Sequence, residues 1–119
     1  MKKKWDISNI LFLTLSPLIA ILGVIIHLYY EGWQITPWLL AFLFYLLTGL
    51  SITAGYHRLF AHRSYQAHWS VRFIFLMFGA ASFQNSLLKW ATDHRIHHQK
   101  VDSESDPYSI KKGFFYAHI

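Results

Sequence analysis

Two long apolar stretches dominate the first half of the chain. They cover residues 7–30 and 38–56. A helix needs about 20 residues to cross the hydrocarbon core of a bilayer, and each stretch is about that long. The first follows a basic start at residues 1–4, but it exceeds the roughly 7–15 apolar residues of a signal-peptide core. The sequence therefore predicts an all-α membrane protein that begins with a transmembrane helical hairpin.

Composition agrees with a membrane location. Of the 119 residues, 54% are hydrophobic and only 14% are charged, which is unusual for a small soluble domain. The chain has no cysteine, which excludes a disulfide framework and a thiolate metal site. The net charge is +5. In a membrane protein such an excess indicates orientation, and we expect no nucleic-acid partner.

The basic residues indicate how the predicted hairpin is oriented. Residues 2–4 are lysines and precede the first span, Arg58 and Arg63 follow the second, and the loop between the spans has neither Lys nor Arg. Positive charge favours the cytoplasmic side of a membrane. We therefore expect an integral, multi-pass protein whose N-terminus and residues 57–119 are cytoplasmic.

Five of the eight histidines lie in two short boxes, His57 with His62, and His94 with His97 and His98. On a helix, the spacing of the second box places its three imidazoles on one face. The two histidines of the first box would lie ~140° apart on a regular helix, at roughly 100° per residue. They would then reach ions on different sides, unless the helix is distorted. Ligation by histidine alone suits Fe, Zn, Cu or Ni, and five ligands favour a pair of metals.

Residues 71–88 decide whether the two boxes can meet. The purely apolar core of this segment, residues 73–81, is too short to cross the bilayer. A crossing would also leave the boxes on opposite faces of the membrane. We therefore expect a helix that lies in the interface or packs against the hairpin. Asp93, Asp102, Glu104 and Asp106 are candidates to accept the second N–H of a box imidazole and fix its tautomer. For Asp102, Glu104 and Asp106 a solvated loop is the favoured interpretation.

Three stretches resemble the membrane-bound acyl-CoA Δ9 desaturases. They are residues 53–65 (TAGYHRLFAHRSY), 83–85 (FQN) and 90–98 (WATDHRIHH). The resemblance runs from about Asn9 to the last residue. It implies that residues 1–119 are the N-terminal part of a desaturase domain with four spans and a cytoplasmic cap. The third histidine box and the second pair of spans of that family are missing.

The resemblance also implies chemistry. In this family, histidines alone hold two iron ions, and His57, His62, His94, His97 and His98 match those ligands. The enzymes use O2 and two electrons, delivered by cytochrome b5 or a ferredoxin-like donor, to place a cis double bond in a fatty acyl thioester. The animal enzymes carry arginine where this chain has a threonine at position 92. Acyl carrier protein or a lipid-bound acyl chain therefore stays open beside acyl-CoA.

Five further residues match substrate contacts of the family. Gln84 and Trp90 match residues that shape the acyl tunnel, and Asn85 and Asp93 match contacts to the CoA portion. Asn9 matches a further contact of this kind. We expect these residues to bind substrate in the complete enzyme.

Two alternatives to a desaturase remain. One is a related histidine-rich di-iron membrane hydroxylase, although Arg58 and Leu59 within the first box favour the desaturase pattern. The other is a truncated membrane remnant without catalytic activity. Whichever of the three interpretations holds, we expect the isolated chain to be inactive, since much of the iron shell is missing from it.

Overall fold

The structure, a computed structural model, describes residues 7–118, without the side chains of Phe115 and His118. All regular elements in this range are helical, which confirms the predicted all-α class. They are α1 (Ile7–Glu31), α2 (Ile35–Leu50), a π-helix (Ser51–Ala61), α3 (Trp69–Ala81), α4 (Leu87–Gln99), a 3-10 helix (Ile110–Lys112) and α5 (Phe114–His118). The chain divides into two compact units, Met1–Leu39 and Leu40–Ile119.

Helix α1 belongs to the first unit and matches the first predicted span. It is 25 residues long, and none of its residues is buried. It ends where Gly32 adopts a φ of +70° and donates its N–H to the carbonyl of Leu28, an ending that glycine favours. Just beyond, the rings of Trp33 and Trp38 stack 5.1 Å apart. Aromatic residues of this kind are typical of the edge of a membrane span.

The second apolar helix is longer than predicted. It runs without a break from Ile35 to Ala61, 27 residues, and both this helix and α1 are long and apolar enough to cross a membrane. Its last eleven residues, Ser51–Ala61, are π-helical. His57 therefore lies on the helix itself, and not after its end, because the helix continues past Tyr56 with a changed hydrogen-bond register.

Helix α3 packs against the end of this second helix, within the second unit. The rings of Phe44 and Phe78 meet edge to face, 5.9 Å apart. Two glycines allow the backbones to approach closely. A Cβ on Gly55 would lie 2.7 Å from the Cβ of Phe75, and one on Gly79 would overlap the ring of Tyr56. This segment therefore packs against the second apolar helix, which is one of its two predicted placements.

Helix α4 carries the second histidine box. It begins after Ser86, whose hydroxyl accepts a hydrogen bond from the N–H of Lys89 at 3.4 Å. Serine at this position satisfies a backbone donor that the helix leaves free. The buried Ala91 marks the side of α4 that faces the rest of the unit. The starting point and packing of this helix set the direction of its histidines.

Candidate metal centre

The π-helix brings the two histidines of the first box together. In a π-helix, each N–H bonds to the carbonyl five residues earlier. The N–H of His62 makes this bond to the carbonyl of His57, at 2.9 Å. Residues five apart are therefore neighbours on one side of the helix, and the two imidazole rings lie 4.6 Å apart. The 140° separation expected for a regular helix is absent, and the distorted alternative is the one observed.

The two boxes meet at His94. Its Nε2 lies 3.0 Å from Nε2 of His62 and 3.1 Å from Nε2 of His98. With His57, these residues form a group of four whose possible ligand atoms all lie within 4.8 Å of one another. We call this group the histidine cluster.

The close nitrogens of the cluster cannot be explained by hydrogen bonds alone. A ring nitrogen carries either one N–H or one lone pair, so Nε2 of His94 cannot make a well-directed hydrogen bond to both neighbours. A metal ion can accept lone pairs from all of them. Nitrogens about 3 Å apart have the spacing of adjacent ligands on one ion when each metal–nitrogen bond is ~2.0–2.1 Å. The donor set therefore fits a metal.

The protonation state of His94 also suits a metal. Burial of the ring lowers its pKa to about 4, and the neighbouring His57, His98, His62 and His97 add to the shift. The imidazole is therefore neutral at pH 7. Metals bind the neutral form, because the lone pair must be free.

His97 lies outside the histidine cluster. Adjacent residues of an α-helix point roughly 100° apart, so His97 and His98 cannot face the same point. His97 instead places its Nδ1 2.9 Å from Oδ1 of Asp106. When Nδ1 of a neutral imidazole donates to a carboxylate, the lone pair is on Nε2, which is the arrangement common in metal-binding histidines. Four of the five predicted histidines thus converge, and the fifth is oriented beside them.

Asp106 takes the less favoured of its two predicted roles, since its carboxylate lies beside the Nδ1 of a box histidine. The interpretation of this segment as a solvated loop is wrong for Asp106, which has no exposed surface. Its carboxylate accepts hydrogen bonds from the backbone N–H groups of Tyr108 and Asp102, both at 2.8 Å, besides the one from His97. Burial raises the pKa of Asp106, but these hydrogen bonds outweigh it and hold the pKa at about 2. The Asp-Pro turn was the available signal, because aspartate commonly bonds to the backbone two residues on.

One predicted substrate residue, Trp90, contacts the cluster, and a second, Gln84, contacts Trp90. The indole N–H of Trp90 donates to Oε1 of Gln84 at 3.2 Å. The indole ring stacks on the imidazole of His94, with ring centroids 4.9 Å apart and an interplanar angle of 19°. A chain of contacts therefore leads from Gln84 through Trp90 to His94 of the histidine cluster.

The other three predicted substrate residues have surroundings of their own. Asp93 forms an ion pair with Lys89, one turn earlier on α4, at 2.6 Å. Asn85 lies in the loop before α4, with a φ of +73°. Asn9 is an exposed residue of α1, in the first unit. Their predicted roles in substrate binding stay predictions.

The fold and the site define a class. The protein is an all-helical membrane protein with a histidine cluster that could hold a metal ion. Comparison with known proteins identifies the family more closely, and the chain belongs to the acyl-CoA desaturases. No protein-family model matches it.

Three relatives illustrate the match. Acyl-CoA desaturase 1 of Saccharomyces cerevisiae is 46% identical over 86 residues, which cover 72% of this chain. The acyl-CoA Δ9 desaturase of Acheta domesticus is 39% identical and stearoyl-CoA desaturase 4 of Mus musculus 36% identical, each over 111 residues and 93% of this chain. The chain spans only 17%, 30% and 31% of the lengths of these relatives. The predicted family is confirmed, and the desaturase domain is incomplete in this chain.

Proposed function

We propose that this chain is the N-terminal part of an oxygen-dependent fatty acyl desaturase, and that its box histidines hold iron. The observation that carries the proposal is the position of His94, whose Nε2 lies 3.0–3.1 Å from two other imidazole nitrogens. The desaturase names of the relatives favour this enzyme over a hydroxylase.

The reaction removes two hydrogens from adjacent methylenes of a saturated acyl thioester and leaves a cis double bond, at the Δ9 position. O2 receives these two hydrogens together with two electrons and two protons, and leaves as two water molecules. Cytochrome b5 or a ferredoxin-like protein supplies the electrons. Two iron ions, when bound, provide the oxygen chemistry that side chains lack. The names of the relatives favour acyl-CoA as the substrate. Acyl carrier protein and a lipid are the other possible carriers of the acyl chain.

The five box histidines of this chain would bind two different ions. The histidine cluster offers four imidazole donors to one ion. His97, oriented by Asp106, offers its Nε2 to the second ion. Further ligands are expected from the part of the desaturase domain that this chain does not span. Gln84 and Trp90 shape the acyl tunnel, while Asn85, Asp93 and Asn9 bind the head group.

The membrane orientation can be tested with single cysteines, because the natural chain has none. Gln34 and Gln66 are exposed, one between the two apolar helices and the other after the second. In intact cells we expect a membrane-impermeant maleimide to label Gln34→Cys directly, and Gln66→Cys only after the membrane is permeabilised. The reason is that basic residues lie before the first span and after the second, and basic residues favour the cytoplasmic side of a membrane. The reverse labelling pattern would exclude a cytoplasmic metal centre.

The desaturase activity can be tested in a chimera. We expect an unsaturated acyl product when this chain replaces the matching segment of the Saccharomyces cerevisiae relative, because the chimera then has a complete iron shell. The isolated chain should convert no stearoyl substrate, since ligands placed outside it are missing. Product analysis by mass spectrometry checks both results.

Each other outcome of this experiment has a distinct meaning. An alcohol in place of the alkene would identify a hydroxylase. A chimera that is inserted in the membrane but forms no product, together with a chain that binds no metal, would identify a remnant without activity. The matched control is the same chimera with His94→Ala, which should be inserted equally well and form no product.

A further inference from the structure

The contact between Trp90 and His94 differs from every other ring contact that His94 makes within the histidine cluster. The imidazole of His94 meets those of His57, His62 and His98 edge to face, at interplanar angles of 84°, 86° and 81°. The indole of Trp90 instead lies nearly parallel to it, at 19° and 4.9 Å. Offset stacking of this kind is a favoured geometry for aromatic pairs. It covers one face of the His94 ring and restricts its rotation.

Such a restraint matters for His94, because its ring nitrogen Nδ1 has no hydrogen bond within residues 7–118. A metal-binding histidine is normally oriented by a hydrogen bond from its second ring nitrogen. His97 has this bond, through Nδ1 to Asp106. Among residues 7–118, the hydrogen-bond contacts of His94 involve only Nε2 and the backbone, and none involves its Nδ1. Within the described part of the chain, the stacked indole therefore restrains the ring plane.

Gln84 in turn fixes the indole. Its Oε1 accepts the Nε1–H of Trp90 at 3.2 Å. Gln84 lies between Phe83 and Asn85, whose φ values are +57° and +73°. A positive φ is uncommon for a residue other than glycine, and for a bulky residue such as phenylalanine this conformation is strained. Strain of this kind concentrates at functional positions. Here it belongs to the turn that presents the amide of Gln84 to Trp90.

We propose that Gln84 and Trp90 are a positioning pair for His94. Gln84 holds the indole in place, and the indole holds the imidazole so that its Nε2 lies between those of His62 and His98. This inference rests on the proposed metal centre, because an ion is what uses the fixed orientation. It adds to the tunnel role of these two residues an effect on the metal ligands themselves.

Metal affinity is one test of the pair. The purified chain in lipid nanodiscs is titrated with Co2+, whose visible spectrum reports both affinity and ligand geometry. Gln84→Leu removes the acceptor, and we expect binding about two- to tenfold weaker with an altered spectrum, the scale of one hydrogen bond or one aromatic contact. Gln84→Glu keeps an oxygen acceptor and should restore the wild-type values. The matched control is Trp69→Phe, because Trp69 also lies against a histidine, His68, but outside the cluster.

Proton resonances of the His94 ring give a second test that needs no metal. The indole face should shift these resonances upfield in the metal-free chain, with His94→Gln used for assignment. Gln84→Leu should reduce the shift, and Gln84→Glu should preserve it. An unchanged shift in Gln84→Leu would overturn the positioning pair, even if the chain binds Co2+. A wild-type chain that binds no Co2+ would overturn the metal centre, while the resonances would still decide whether the pair orients His94.

Discussion

We expect His94→Ala to weaken Co2+ binding by the chain at least about 100-fold, beyond the 10–100-fold typical of losing a residue that only supports a ligand. His94 is where the two boxes meet, since its Nε2 lies 3.0 Å from that of His62 and 3.1 Å from that of His98. Removing it leaves three donors and takes away the imidazole whose Nε2 lies close to the nitrogens of both His62 and His98. A spectrophotometric titration of the chain in nanodiscs measures the change.

Two further variants make the test specific. His68→Asn is the matched control, because His68 lies outside the cluster and its Nδ1 caps helix α3 by accepting from the N–H of Ser70. Asparagine keeps that capping acceptor, so Co2+ affinity should be unchanged. His97→Ala should weaken the first equivalent of Co2+ less than His94→Ala does, although in the complete enzyme it should also abolish desaturation. Equal affinity in His94→Ala and wild type would contradict the proposed site.

The relative position of the two imidazoles in the first histidine box could not be predicted from sequence alone. The spacing of His57 and His62 predicted either separate ions or a distorted helix, and left the choice open. The structure resolves it with a π-helix, Ser51–Ala61. A change from i→i+4 to i→i+5 bonding is a change of hydrogen-bond register, and it can occur without a proline or a run of glycines. No residue type in this segment identifies it in advance.

The second box was predicted more closely, with one difference. The spacing of His94, His97 and His98 correctly indicated a helix with imidazoles one turn apart. It did not separate the two that join the cluster from the one that does not. Helix geometry keeps His97 from facing the same point as His98, and Asp106 holds His97 in its own orientation. The burial of Asp106 requires three donors, from positions 97, 102 and 108. Local polarity predicts exposure for such an aspartate, and only the folded turn supplies the compensating hydrogen bonds.

The placement of helix α3 followed from a functional argument. The apolar core of that segment was too short to cross a bilayer, and the two boxes had to reach one another. The small residues at positions 49–55 indicated that another helix could approach closely there, but nothing identified Gly79. Gly55 and Gly79 matter because of the aromatic rings opposite them, Phe75 and Tyr56. A single sequence does not pair a glycine with its neighbour across the fold.

The contact between Gly79 and Tyr56 leads to a prediction about stability. We expect Gly79→Ala to reduce the free energy of unfolding by about 1–3 kcal/mol, the usual cost of overpacking a filled site. The new Cβ would lie 2.7 Å from Cζ of Tyr56, a residue only 2% exposed. The ring has little room to turn away, because it packs edge to face against Trp90, 6.0 Å away. Unfolding of the chain in mixed detergent micelles, followed by circular dichroism, measures the loss.

The matched control is Gly49→Ala. Gly49 is also a helical glycine, but an added Cβ there meets no atom within 4 Å. Its replacement should leave stability unchanged or raise it by up to about 1 kcal/mol, the helix preference of alanine over glycine. A double variant, Gly79→Ala with Tyr56→Leu, should lose less than the sum of the two single changes, because the smaller side chain removes the overlap. If Gly49→Ala were as destabilising as Gly79→Ala, the cost would come from losing a glycine and not from the ring of Tyr56. If Gly79→Ala were as stable as wild type, the close packing of α3 on the π-helix would be wrong, and with it the support beneath His57.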